Sequence, residues 1–208
     1  MPRLKTVTGL SLAVLILVNS ALADDIVMAP QKFSHCVTCH GVELAGNQSV
    51  DAPNLSVLES WYVEKQLVAY TNLWRGHAED EHGIEMRPMA AALNDVDRAE
   101  AVSFVASVPK RAAGATIIGD LVAGEMVYGT CSVCHGVRGE GNRDFGAPAL
   151  AGQSDWYLVR QLEKYKSGIR GAAAGDLSGA QMRAASGILM DATDIQNVVA
   201  YINSLATH

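Results

Sequence analysis

Cys36-Val37-Thr38-Cys39-His40 is followed, 95 positions on, by Cys131-Ser132-Val133-Cys134-His135, and these two pentapeptides hold all 4 cysteines of the chain. Cys-x-x-Cys-His is the attachment pattern of c-type haem. The two thiols form thioethers with the haem vinyl groups, and the adjacent histidine ligates the iron. A Cys-x-x-Cys redox pair is the simpler alternative, but neither copy lies in a βαβ pattern and each runs straight into a histidine. Zinc needs four ligands per site, and each half offers an obvious set of only three. The reading is two covalently bound haem c groups.

Upstream of the first motif, Arg3 and Lys5 precede an apolar run from Leu10 to Val18, and Ala21-Leu22-Ala23 supplies small residues. This is the layout of a secretory signal peptide at residues 1–23, cleaved after Ala23. The rival reading, an uncleaved anchor, has too short an apolar run to span a bilayer comfortably. Export puts the chain in the periplasm. Exported cysteines often pair as disulfides, but here both pairs stand in haem motifs. Residues 24–110 carry 6 basic and 13 acidic side chains, against 8 and 9 in residues 111–208. An acidic balance of this kind excludes nucleic acid as a partner and points to a cationic protein surface. The Glu79-Asp80-Glu81 run reads either as part of that field or as a solvated loop.

The motifs bring their surroundings into register. At the same offset Pro53 meets Pro148, Trp61-Tyr62 meets Trp156-Tyr157, Gln66-Leu67 meets Gln161-Leu162, and Arg75-Gly76 meets Arg170-Gly171. One inserted residue later, Met86-Arg87 meets Met182-Arg183. The chain therefore divides into an N-terminal domain at 24–109, a linker at 110–119 and a C-terminal domain at 120–208. Each is small for a self-sufficient apolar core, so the apo-protein is expected to fold poorly. The periodicity is helical throughout: Val63, Leu67 and Tyr70, like Leu158, Leu162 and Tyr165, share one helix face. Ser60, and Ser154 or Asp155, are candidate N-caps. Thr193 and Gln196 have capping-box spacing ahead of the stripe Ile195, Val198, Val199 and Ile202. With no strand alternation anywhere, the fold class is all-α, a pair of small helical domains.

His40 and His135 follow the second cysteine of each motif and are the proximal iron ligands. A ligating imidazole donates its second N–H to an acceptor. Pro53 and Pro148, 13 residues beyond each histidine, are proposed to offer that acceptor through their carbonyls. Methionine is a frequent sixth ligand because its thioether favours ferrous iron. Register selects Met86 and Met182, while Met89 and Met190 fall opposite Ala185 and Asn94 and remain fallback ligands. His77 and His82 have no counterpart in the second half and read as exposed loop residues. Trp61 and Trp156 are placed either at the pocket edge or in the core.

Two such modules, each with a Pro-bearing loop, a Trp-Tyr helix and a methionine before a closing helix, resemble the dihaem cytochrome c4 family over nearly the whole mature chain. The resemblance implies two tandem class I cytochrome c folds with His/Met haems. It also implies a periplasmic, often loosely membrane-associated carrier that takes electrons from quinol-oxidising complexes to terminal oxidases. One departure is local: Gly41-Val42-Glu43-Leu44-Ala45-Gly46-Asn47 stands where the second module has Gly136-Val137-Arg138-Gly139-Glu140-Gly141-Asn142. The alternative function is a dihaem subunit of a larger dehydrogenase or oxidase complex, of the flavocytochrome c sulfide dehydrogenase type. A small carrier is a further acceptor. A dihaem peroxidase would need an iron with an open ligand position, and the paired methionines argue against it.

Overall fold

The first pentapeptide forms a helix that ends on its own histidine, and the second pentapeptide closes a longer one in the same way. The structure is a computed structural model that describes residues 28–206; the expected signal segment lies outside the described residues. In chain order the helices are α1 (Ser34–His40), α2 (Ser60–Thr71), α3 (Met86–Ala91), α4 (Asp95–Ser107), α5 (Leu121–His135), α6 (Asp155–Ser167), α7 (Leu177–Ala185) and α8 (Ala192–Leu205). Among the described residues the only β features are isolated bridges, Asn47 with Ala52 and Asn142 with Ala147, one in each module. The class is all-α.

Helix termini explain where each element stops. Gly41 and Gly136, both at φ 82°, end α1 and α5 immediately after the histidines. Such a backbone suits a residue without Cβ. The N-caps agree with the sequence reading in part. Ser60 is already the first helical residue of α2, with Glu59 in the cap position. Ser154 occupies the α6 cap without a side-chain bond. Asp191, not Thr193, caps α8, accepting the N–H groups of Thr193 (2.8 Å) and Asp194 (3.0 Å). Aspartate at this position leaves the Thr193–Gln196 spacing without a capping function.

Each module has its own core. Phe33, Leu44, Val63, Ala101, Phe104, Val105 and Val108 form the first. Tyr128, Leu158, Leu189, Ile195, Val198, Val199 and Ile202 form the second. The first draws chiefly on α4 with Val63 of α2, and the second on the apolar stripe of α8 with Leu158 of α6 and Tyr128 of α5. In the second module α5 and α8 cross closely at Gly124, where an added Cβ would lie 2.2 Å from the Asn197 carbonyl oxygen. Glycine is required there by contact with another backbone, not by its own φ.

Residues 109–120 carry no regular element, yet the segment is bonded along its length. Asn54 Nδ2 donates to the Arg111 carbonyl (2.7 Å) and Ala113 N–H to that of Gly152 (2.9 Å). Thr116 Oγ1 and Ile117 N–H donate to the Asp155 carboxylate at 2.8 and 2.7 Å. Burial would raise the Asp155 carboxyl pKa, but these donors outweigh it and hold the pKa below its ordinary value. This linker is a fixed strap.

Candidate haem sites and the contact between them

In both modules the histidine that ends the motif helix is buried, and its Nδ1 lies 2.8 Å from a proline carbonyl, His40 on Pro53 and His135 on Pro148. A carbonyl only accepts, so Nδ1 carries the proton and Nε2 keeps a free lone pair for a metal. Burial lowers both imidazole pKa values, against the raising effect of the proline carbonyls. Both are kept neutral, as ligation requires. The loop that delivers each carbonyl is held to the histidine's own backbone: Gly46 N–H donates to His40 O (2.9 Å) and Gly141 N–H to His135 O (2.8 Å).

No disulfide joins the four cysteines. Cys36 and Cys131 are half-buried, and burial raises the pKa of both. Cys131, Cys134, His135, Pro148 and Met182 line one cavity, closed by Leu150, Leu162, Val198 and Ile202. That is a thiol pair, an imidazole and a thioether around an apolar slot, and the donor set fits a c-type haem. Met190 is 82% exposed. In the first module Met86 is half-buried at the start of α3 and Met89 is 38% exposed. Among the described residues no three His, Cys, Asp or Glu side chains group as a metal site. Trp61 and Trp156 are half-buried and stand edge-on to Tyr62 and Tyr157, and neither is among the described residues that line the cavity.

Several residues of consequence were visible only as matches in the repeat. Arg75 and Arg170 are buried together between the modules. Arg75 donates to Gln66 (2.7 Å) and Gln161 (3.2 Å), and Arg170 to Gln161 (2.8 Å), Gln66 (3.0 Å) and the Tyr62 hydroxyl (3.2 Å). Each guanidinium also lies over a ring, Tyr70 at 4.6 Å and Tyr165 at 4.5 Å. Burial pushes the Tyr70 phenol up to about 12 against the opposing charge of Arg75, so it stays neutral. The hydrogen bonds described for the two guanidiniums reach neutral amides and phenols, and the buried Nε of Arg75 has no partner. Two buried cations beside the second cavity suit a group with carboxylate arms.

The acidic excess of the first half is partly internal. Asp80, expected within an acidic loop, is fully buried and forms an ion pair with Lys164 of the second module. It also accepts the N–H groups of Gly76 and Gly83, both at 3.2 Å. Burial would raise its pKa, but the Lys164 ammonium outweighs that and holds it below the usual carboxylate range. Asp51 pairs with Arg160 and, at 2.6 Å, with His82, so His82 is not a free loop histidine.

A model of the cytochrome c family matches residues 29–109 and again 121–206. The chain belongs to the cytochrome c family. It is 32% identical to a thiosulfate dehydrogenase electron acceptor of Stutzerimonas stutzeri over 164 residues, spanning 73% of this chain and 72% of that protein. It is 28% identical to cytochrome c4 of Azotobacter vinelandii over 88% of this chain and 90% of that one. The solved cytochrome c4 of Acidithiobacillus ferrooxidans superposes with a TM-score of 0.66 at 26% identity, covering 82% of this chain and 99% of that chain. Two tandem cytochrome c domains of the dihaem cytochrome c4 type, working in electron transfer and not as an enzyme, are what this architecture defines.

Proposed function

We propose that the protein is a periplasmic dihaem c-type cytochrome that passes single electrons between respiratory complexes, toward a terminal oxidase. The observation that carries this reading is the duplicated motif helix with its histidine bonded through Nδ1 to a proline carbonyl at 2.8 Å in each module. Cys36 and Cys39 would anchor one haem with His40 and Met86 on its iron. Cys131, Cys134, His135 and Met182 would hold the other, in domains at 24–109 and 120–208. When bound, the haems supply reversible one-electron exchange. The polypeptide's part is to keep each imidazole neutral and oriented, exclude water with the aliphatic walls, and receive carboxylate arms at Arg75 and Arg170. With two strong ligands per iron no position is left for a substrate.

The name of the Stutzerimonas relative supports a second reading, in which the donor is a dehydrogenase that this chain serves as acceptor or stable subunit. The test is potentiometric titration of the holoprotein, following the α-band and the weak sulfur-to-iron absorption. Two one-electron transitions are expected, with the sulfur band halved in Met86→Ala and in Met182→Ala. A high-spin haem in the unmutated protein would overturn the carrier reading. Co-purification of a dehydrogenase in fixed ratio would favour the second.

A further inference from the structure

The carbonyl that accepts from each ligand histidine belongs to a peptide whose other end, the next residue's N–H, is bound by the opposite module. The two modules do this with different charges. For the first, Asn54 N–H donates to the neutral amide oxygen of Gln153 at 3.0 Å, and Gln153 is 2% exposed. For the second, Ala149 N–H donates to the Glu59 carboxylate, both oxygens at 3.2 Å. Asn54 and Ala149 are equivalent in the repeat, and Ser154 stands opposite Glu59. Glu59 sits in the N-cap position of α2 yet makes no cap bond to that helix.

We propose that Glu59 is a positioning residue for the second haem's iron, and that it makes the two modules electronically unequal. This rests on the His/Met carrier reading above. An anion on a peptide N–H polarises that amide and gives its carbonyl more negative charge. Pro148 O is then a stronger acceptor for the His135 Nδ1–H, and the imidazole leans toward imidazolate. Outer-sphere bonding of this kind raises ligand basicity, which favours ferric iron. Gln153 gives the Pro53 peptide a neutral partner with no such push. The second haem is therefore held at a lower potential than its ligands alone would set, by a side chain of the first module.

Glu59→Gln in the full-length holoprotein keeps an acceptor for Ala149 N–H and removes the charge. Spectroelectrochemical titration, with each transition assigned through haem-methyl proton resonances, reads the two sites separately. The reduced-to-oxidised ratio of the second haem at fixed potential should rise several-fold; tenfold would correspond to about 59 mV for one electron. The first haem should not move, and the His135 Nδ1 proton resonance should shift with the potential. Glu64→Gln, an exposed neighbour on α2, is the control for general charge loss. A second-haem potential unchanged in Glu59→Gln, or moved equally by Glu64→Gln, overturns the proposal while leaving the carrier reading intact. Absence of two low-spin His/Met haems in the unmutated protein would instead defeat that reading.

Discussion

Leu44 holds a left-handed backbone at φ 54° with its side chain fully buried, where the second module has Gly139 at φ 68°. A left-handed non-glycine costs about 1–2 kcal/mol, whereas removing a buried leucine side chain costs about 2–5 kcal/mol. Packing wins over most of that range, so Leu44→Gly is expected to destabilise the holoprotein by up to about 4 kcal/mol in a denaturant titration. The same comparison explains the local departure from the glycine-rich run. Phe33 and Leu44 belong to one buried apolar cluster, while the repeat partner of Phe33, Tyr128, sends a hydroxyl to the Gly136 carbonyl at 2.7 Å beside Gly139. Asp80 is the other residue whose neighbours decide its role. Asp80→Asn leaves the Lys164 ammonium buried without its anion and should cost about 3–5 kcal/mol in thermal unfolding. Its carboxyl pKa is lower folded than unfolded, so the pair's contribution is complete above the ordinary carboxylate range. It is lost as pH falls through the lowered folded value. The acid-side drop in melting temperature should therefore be shallower in Asp80→Asn than in the parent.

Among the helices, α8 shows how cap and stripe divide the work. Asp191→Ala removes two N–H contacts and should lower stability by about 0.5–2 kcal/mol. Gly124→Ala should destabilise by about 1–3 kcal/mol or more, because the new Cβ would meet the α8 backbone at the α5 crossing. Unfolding curves of the two variants, fitted with a common slope, check both figures. The stripes on α2, α6 and α8 were legible in the sequence because burial imposes a period. The repeat register likewise exposed the motif histidines and their prolines. The caps were not legible: Ser, Thr and Asp all serve, and only the backbone shows which one ends up outside the first turn. Nor was the partner of Asp80. A run of three acids looks solvated in sequence, and the lysine that neutralises its middle member lies 84 positions away.

Across the whole molecule, each module is a small core, the second beside an apolar slot, and two buried guanidiniums lie at the boundary. Haem removal should therefore reduce helical circular dichroism cooperatively and expose dye-binding surface in both halves. Rates of electron exchange with a cationic partner should fall with ionic strength, by less than the formal excess of the first module implies. Asp51 and Asp80 are already neutralised by Arg160 and Lys164 within the protein. A stopped-flow salt series with a basic redox protein measures this.

The contacts between the halves fall into two kinds. The Arg75, Gln66 and Tyr62 set is matched by Arg170, Gln161 and Tyr157, and the contacts are reciprocal: Arg75 donates to Gln161 and Tyr157, and Arg170 to Gln66 and Tyr62. A surface of this kind is self-complementary, as in a two-fold dimer of identical chains. The charged contacts have no mirror image: Ala69 stands at the place of Lys164 and Gly146 at that of Asp51 in the two ion pairs, and Ser154 stands at that of Glu59, which accepts a backbone N–H. The ionic layer makes the halves non-interchangeable: in a chain built from two copies of the first half, Asp80 would face Ala69 in place of Lys164 and lie at the boundary without its cation.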